Sequence, residues 1–315
     1  MNPLTQAADT AVNQCLALQP DESCAIVTDH ECQSIGEALY AVASDISDTA
    51  VLLTARPGIE HGAEPPDPIA GAMRLSDTFL APTAKSLSHT RARSRACEAG
   101  ARGATLPGIT EDVFTQGLAA DYDEINRECQ RVSTAVQDAG SIRVTSPQGT
   151  DITVDIGDRS WREDTGIIHE AGAFSNLPAG EVFVSPTSAN GTYVVDGTMR
   201  PYGLLAPDQA ITITVEDGYA VDIDDAEVTA SFEKAAASVG RDAYNVAEIG
   251  IGTNIAVQEL VGSVLLDEKA GGTVHIALGD DASIGGDTEA PIHADGVLRD
   301  PTVYVDGNEL RLPGA

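Results

Sequence analysis

The chain has 315 residues, enough for two domains, and 42% of them are hydrophobic, so it can bury a sizeable core. It carries 49 acidic against 18 basic residues, and the resulting net charge of −31 argues against a nucleic-acid partner, which needs a basic patch. No apolar run approaches the roughly 18 residues of a membrane span, and the first residues lack the pattern of a signal peptide. We therefore expect a cytoplasmic protein.

The first 139 residues alternate short apolar runs with helical segments. Strands are predicted at 24–29, 50–55, 77–82 and 104–108, and helices at 32–45, 90–100 and 121–139. Buried strands separated by helices indicate a parallel sheet covered on both faces. We predict an α/β N-terminal domain, a doubly wound parallel sheet, over residues 1–139.

The pattern changes near residue 140. Residues 142–157 alternate apolar and polar side chains, as half-buried antiparallel strands do, and 210–223 and 302–312 continue this pattern with Asp-Gly turns. A single helix is predicted at 223–239. We predict a strand-rich α+β domain over residues 140–315, packed closely on the first because no linker separates them.

The acidic residues are spread through both halves of the chain and are not gathered in a tail. In molar salt the Debye length falls to about 3 Å, which screens self-repulsion while hydrated carboxylates keep the protein soluble. The composition is therefore typical of a halophilic protein. Five cysteines, all in the first half and without a CxxC pair, favour reduced, buried thiols over disulfides or a zinc–thiolate site.

A candidate metal site lies in the last fifty residues. The segment TVHIALG places His275 in a strand, and a Gly- and Asp-rich loop leads to His293 and Asp295. On a strand, His293 and Asp295 share one face. Imidazole and carboxylate ligands suit zinc, manganese, cobalt or iron, although the pattern alone leaves a pair of hydrogen-bonded histidines near turns as an alternative.

Two carboxylates extend this set. Glu181 directly precedes an apolar strand, and Glu248 is flanked by apolar residues and glycines. A carboxylate in such surroundings is costly unless it is paired or bound to a cation, although surface glutamates on strand edges are the alternative. With His275, His293 and Asp295 they form five candidate ligands, enough for two metal ions.

The segments SNLPAGEVFVSP, AEIGIGTN, LDEKAGGTVHIALGDD and PIHADG, in this order, resemble the aminopeptidase T/aminopeptidase S/PepS family of metallo-aminopeptidases, and most closely its short archaeal leucyl aminopeptidase type. The upstream segments at 80–114 and 146–159 are also similar, so the resemblance covers roughly residues 75–315. It implies a homodimeric exopeptidase that hydrolyses N-terminal residues of peptides with two divalent ions, typically zinc, cobalt or manganese.

The resemblance assigns the metal ions to Glu181, Glu248, His275, His293 and Asp295. One of the two glutamates would act as the base that takes a proton from the metal-activated water. In the substrate-binding role we place Asp280, or its neighbour Asp281, as a contact for the free α-amino group. We also place His89 there, because it precedes a helix whose N-terminus attracts anions; a helix start capped by a nearby Ser or Thr, with an incidental histidine, is the alternative.

The same family resemblance extends to 2,5-dihydroxypyridine dioxygenases, which hold a single ferrous ion. In that alternative His275, His293 and Asp295 form a facial triad of two histidines and one carboxylate, and a glutamate remains as acid or base. Another metal-dependent small-molecule enzyme, or a metal-binding protein without turnover, stays open as a third class.

Overall fold

The computed structural model describes residues 2–314 and divides into two compact units. The first unit contains the residues up to Asn126 and a second, separate segment, Asp164–Ala179. The second contains Arg127–Glu163 and the chain from Gly180 onwards. The chain therefore re-enters the first unit, whereas the sequence suggested one boundary between residues 139 and 140.

Eight α-helices occur within the described residues, and none of them has the length and apolar character that a membrane crossing requires. They are α1 (Pro3–Asp9), α2 (Gln33–Ile46), α3 (Asp67–Leu75), α4 (Arg91–Glu98), α5 (Glu111–Gly117), α6 (Tyr122–Val136), α7 (Ala226–Val239) and α8 (Val264–Asp267). A π-helix at Thr10–Cys15 continues α1, and short 3₁₀ helices lie at Gly240–Tyr244 and Ala282–Ile284.

Nineteen strands form three sheets in the same part of the chain. They are β1 (Cys24–Asp29), β2 (Ala50–Ala55), β3 (Thr78–Thr83), β4 (Arg102–Pro107), β5 (Ser141–Thr145), β6 (Asp151–Asp155), β7 (Arg162–Asp164), β8 (Phe174–Asn176), β9 (Glu181–Val184), β10 (Ser188–Val195), β11 (Thr198–Met199), β12 (Gly203–Leu204), β13 (Ile211–Glu216), β14 (Tyr219–Ile223), β15 (Val246–Gly252), β16 (Val274–Gly279), β17 (His293–Leu298), β18 (Thr302–Val305) and β19 (Asn308–Leu310).

The first unit is built on a parallel sheet in the order β2-β1-β3-β4-β8. Every residue of β1 and β3 is buried, because apolar residues of α3 and α4, such as Met73 and Ala96, join the core on this sheet. The predicted α/β fold with a parallel sheet is confirmed. Four of its strands lie within two residues of their predicted places, whereas α1, α3, α5 and β8 were not predicted.

The second unit contains two seven-stranded sheets, one in the order β14-β13-β10-β6-β5-β18-β19 and one in the order β12-β11-β17-β16-β15-β9-β7. In the first of these sheets, the turn at Asp217-Gly218 joins β13 to β14 and the turn at Asp306-Gly307 joins β18 to β19. All four turn residues have positive φ, between 45° and 84°, as tight hairpins with this chemistry require. The strand-rich second half is therefore confirmed.

Candidate metal centre

Three adjacent strands bring ligands together on one face of the second of these sheets. Asp295 on β17 and Glu248 on β15 both lie opposite Ala277 of the central strand β16. His275, two residues before Ala277, lies opposite Gly250. Because directly opposed residues and residues two apart share a face, all three polar side chains project from the same side. A bulge between Val246 and Glu248 adjusts the direction of β15 there.

The remaining two candidates lie on the same face. Glu181 begins β9 and lies opposite Gly252, two residues beyond Gly250. His293 begins β17, two residues before Asp295, and lies opposite Gly279. The sequence prediction that His293 and Asp295 share a face therefore agrees with the strand register.

The two histidines are oriented by backbone carbonyls. His275 Nδ1 lies 3.0 Å from the carbonyl oxygen of Glu268, and His293 Nδ1 lies 2.7 Å from that of Asp280. A carbonyl oxygen only accepts, so each Nδ1 carries the proton and donates it. Each Nε2 is then the nitrogen available to a metal ion, the arrangement by which outer contacts set the ligating tautomer.

Carboxylates surround both Nε2 atoms. Glu248 bridges the histidines, with Oε1 3.1 Å from His275 Nε2 and Oε2 3.6 Å from His293 Nε2. Asp295 Oδ1 lies 3.4 Å from His293 Nε2. Glu181 Oε2 lies 3.4 Å from His275 Nε2. The donor atoms of Glu181, Glu248 and His275 all lie within 4.8 Å of one another.

The electrostatics of the cluster show a surplus of negative charge. Burial by itself lowers the pKa of His275, but the hydrogen bond to Glu248 and the charges of Glu181 and Glu268 outweigh it and raise the pKa to about 9. Burial raises the pKa of Glu181 to about 8, against the opposing attraction of Lys269. His275 and Glu181 therefore both tend to keep their protons, because the cluster contains more buried carboxylates than cations.

This donor set fits a divalent metal ion. Two imidazole nitrogens and several carboxylate oxygens lie around Glu248, and the Nδ1 atom of each imidazole is already hydrogen-bonded. An ion would displace the retained protons. Histidine and carboxylate ligands suit iron, manganese, cobalt or zinc, and they do not by themselves select one.

Gly250 provides the space for the His275 ring. A Cβ atom built on Gly250 would overlap Nε2 and Cε1 of that ring, since both lie far inside van der Waals contact. We expect Gly250→Ala to turn the imidazole out of position and to weaken metal affinity by about 10–100-fold, the range for losing an orienting contact. Isothermal titration with zinc measures this loss. Gly71→Ala, on α3 with no atom within 4 Å of the added Cβ, is the matched control, and equal affinities in the two variants would contradict the assignment.

Asp280 and Asp281 build the loop between β16 and β17. The Asp280 carboxylate accepts a hydrogen bond from the Ala290 amide at 3.1 Å. The backbone carbonyl of Asp280 accepts the hydrogen bond from His293 Nδ1. Asp281 is buried, and its carboxylate accepts from Thr288 N at 2.7 Å and from Ser185 Oγ at 2.9 Å. Asp280 therefore supports His293 through its backbone, while a contact of its side chain with a substrate amine stays a prediction.

His89 belongs to the first unit, where it is exposed one residue before Thr90. Thr90 caps α4, since its side chain accepts from Arg93 N at 3.2 Å. The capped helix start expected from the sequence is present, and the substrate-binding role of His89 stays a prediction.

Glu268 and Lys269 also belong to the centre, although the sequence analysis did not single them out. The Glu268 carbonyl orients His275, and the Lys269 ammonium lies 3.0 Å from Glu181 Oε1. The signal was a lysine that directly follows an Asp-Glu pair and lies six positions before the strand histidine, in the segment LDEKAGGTVHIALG.

Residues 5–314 match the family model of NicX, described as 2,5-dihydroxypyridine 5,6-dioxygenase. The chain belongs to this family. A 2,5-dihydroxypyridine 5,6-dioxygenase of Pseudomonas putida KT2440 is 25% identical to it over 218 residues, which cover 64% of this chain and 61% of that relative. The chain thus spans less than two thirds of that NicX relative.

Solved structures support the same grouping at the level of the fold. A 2,5-dihydroxypyridine dioxygenase from Pseudomonas putida KT2440 has a TM-score of 0.81 at 20% identity, covering 100% of this chain and 97% of that one. Wild-type AmpT from Thermus thermophilus has a TM-score of 0.69 at 18% identity, covering 98% and 96%. The chain therefore shares its fold with both solved structures, and its membership of the NicX family favours the dioxygenase side of the resemblance.

Proposed function

We propose that this chain is a dioxygenase that uses one ferrous ion to open the ring of a dihydroxylated pyridine. The observation that carries the proposal is that Glu248 lies within 3.6 Å of Nε2 of both His275 and His293, and that Asp295 lies 3.4 Å from His293 Nε2. Both imidazoles are held at Nδ1 by backbone carbonyls, so each Nε2 is available to an ion. Membership of the NicX family supports the choice of chemistry.

His275, His293 and Asp295 would hold the ion. Iron(II) held by two histidines and one carboxylate would supply the dioxygen chemistry of non-haem oxygenases. Glu248 lies between the two histidines and accepts the proton of a substrate hydroxyl, because its oxygens lie 3.1 and 3.6 Å from the ligating nitrogens. His275 is fully buried, whereas the His293 side chain is 34% exposed, so the centre is open to solvent on the His293 side.

The substrate class follows from the NicX relatives, which are named for 2,5-dihydroxypyridine. The expected reaction breaks the ring bond between C5 and C6, and both atoms of dioxygen enter the product. We place the hydroxyl-bearing edge of the ring toward Glu248, since loss of the hydroxyl proton makes the ring a better electron donor. The electrons that reduce dioxygen come from the ring carbons that are oxidised as the C5–C6 bond breaks.

A metallo-aminopeptidase is the second candidate. Glu181, Glu248 and His275 offer ligand atoms within 4.8 Å of one another, which favours a cation at that corner and hence a two-ion centre. A peptidase of this kind would use the pair of ions to activate water and polarise the scissile carbonyl.

Turnover distinguishes the two candidates. The chain, loaded anaerobically with Fe(II), is mixed with 2,5-dihydroxypyridine in air, and loss of the ring absorbance is followed together with oxygen uptake. We expect one molecule of dioxygen to be consumed for each molecule of 2,5-dihydroxypyridine. With labelled dioxygen, we expect two labelled oxygen atoms in the product. Parallel assays use aminoacyl p-nitroanilides with zinc, cobalt or manganese. Release of nitroaniline without oxygen uptake would replace the dioxygenase proposal by the aminopeptidase. His293→Ala, which removes a proposed iron ligand, should abolish dihydroxypyridine consumption. His30→Ala, at an exposed histidine after β1, is its control and should turn over like the native chain.

A further inference from the structure

Lys269 places a buried cation inside the candidate metal centre. Its side chain is 3% exposed, and its Nζ lies 3.0 Å from Oε1 of Glu181 and pairs with Oε1 of Glu268. The two carboxylates are themselves 9% and 14% exposed. The other two lysines of the chain, Lys85 and Lys234, are not buried. A buried lysine is tolerated where carboxylates neutralise it, so this arrangement is a built feature of the site.

The backbone around Lys269 is fixed against the sheet. Its carbonyl accepts from Asn254 N at 2.8 Å, and its amide donates to the Leu266 carbonyl at 3.1 Å. A Cβ on Gly252 would collide with the Ala270 carbonyl and with the carbonyl carbon of Lys269, so the segment lies directly on β15. The backbone of Lys269 is therefore held in place on β15, with its ammonium group beside Glu181.

This position matters for the number of metal ions. Two-ion hydrolytic centres hold their ions about 3.5–4 Å apart with carboxylates between them. Here the corner formed by Glu181, Glu248 and His275 could take a second ion, but Oε1 of Glu181 already faces the ammonium group of Lys269. A cation bound to that carboxylate would lie within a few ångströms of Nζ, where like charges repel strongly at low dielectric.

We propose that Lys269 takes the place of a second metal ion and limits this centre to one. The lysine pairs with Glu181 and Glu268 and offsets part of their charge, and the triad of His275, His293 and Asp295 keeps the single ion. The inference rests on the one-ion centre proposed above and adds the residue that sets its stoichiometry. It also accounts for how a fold shared with aminopeptidase T can hold a one-ion site.

Metal stoichiometry tests the proposal. Chelator-treated native protein and Lys269→Met are dialysed against excess zinc in the absence of substrate, and metal per chain is determined by mass spectrometry. We expect one ion in the native protein and two in Lys269→Met. The double variant Lys269→Met/Glu181→Gln, which removes the second-site carboxylate as well, should return to one. Lys234→Met, an exposed lysine on α7, is the matched control and should bind one.

Thermal unfolding with and without zinc gives an independent reading. Lys269→Met leaves two buried carboxylates without their cation, so in chelator its unfolding midpoint should be lower than that of the native protein. Addition of zinc should raise the midpoint of the variant by more than it raises that of the native protein. If that variant does not fold, Lys269→Ser refolded with zinc carries the same test. Two ions in the native protein, or one in the folded lysine variant, overturns the proposal. Failure to oxidise dihydroxypyridine would instead reject the dioxygenase and leave the ion count as measured.

Discussion

Replacing Asp295 by asparagine is expected to remove the metal ion and turnover together. The substitution keeps the size of the side chain but takes away the one carboxylate that accompanies His293 on β17, with Oδ1 3.4 Å from Nε2. An amide is a poor ligand beside two neutral imidazoles, so the loss should exceed the ~10–100-fold that follows removal of an outer contact. Iron content after anaerobic loading and the rate of dihydroxypyridine consumption measure the two effects.

Asp222→Asn is the matched control for this experiment. Asp222 is exposed on β14, and its replacement removes the same charge from the second unit. It should bind iron and turn over like the native chain. Thermal unfolding of both variants shows whether folding is kept. An Asp295→Asn protein that retains one iron and native turnover would contradict the assignment of the triad.

Dilution of salt is expected to destabilise the chain strongly. With 49 acidic and 18 basic residues, self-repulsion is long-ranged when the Debye length grows from about 3 Å in molar salt to about 30 Å at 0.01 M. We expect the unfolding midpoint to fall by about 10 °C when KCl is lowered from multimolar to millimolar concentrations, equivalent to a few kcal/mol at roughly 2–4 °C per kcal/mol. Calorimetry or circular dichroism in the presence of a chelator measures the shift.

The chelator separates this effect from loss of the metal ion, and an uncharged osmolyte at matched osmolality separates screening from general exclusion effects. The osmolyte should restore much less of the midpoint than KCl does, because it does not screen charge. A midpoint independent of salt would show that the composition is not an adaptation to high ionic strength.

Much of the fold was predictable because it rests on local patterns. The runs 24–29 and 50–55 coincide with β1 and β2, since both are short, largely apolar segments bounded by polar turns; β1 is fully buried and β2 is the partly exposed edge strand. The Asp-Gly turns also lie where expected, because their φ requirements are local. By contrast, β8 has only three residues and joins the sheet beside β4 from far along the chain, which no local signal indicates.

The candidate site was predictable in its residue types and less so in its chemistry. His293 and Asp295 share a face because side chains on a strand alternate, and this needs no tertiary information. The neighbourhood of Lys269 and Glu181 depends on the pairing of β9 with β15 and on a loop that lies against Gly252. Such contacts join residues far apart in sequence.

Residue order was therefore sufficient for the fold class, the positions of β1 to β4 and the candidate metal ligands, because burial, alternation and turn chemistry act over a few residues. The orientation of each imidazole, the surplus of carboxylate charge and the lysine beside Glu181 follow from strand register and loop packing. These features set how many ions the centre holds, because electrostatic interactions in a buried site depend on distances between side chains and not on their order in the chain.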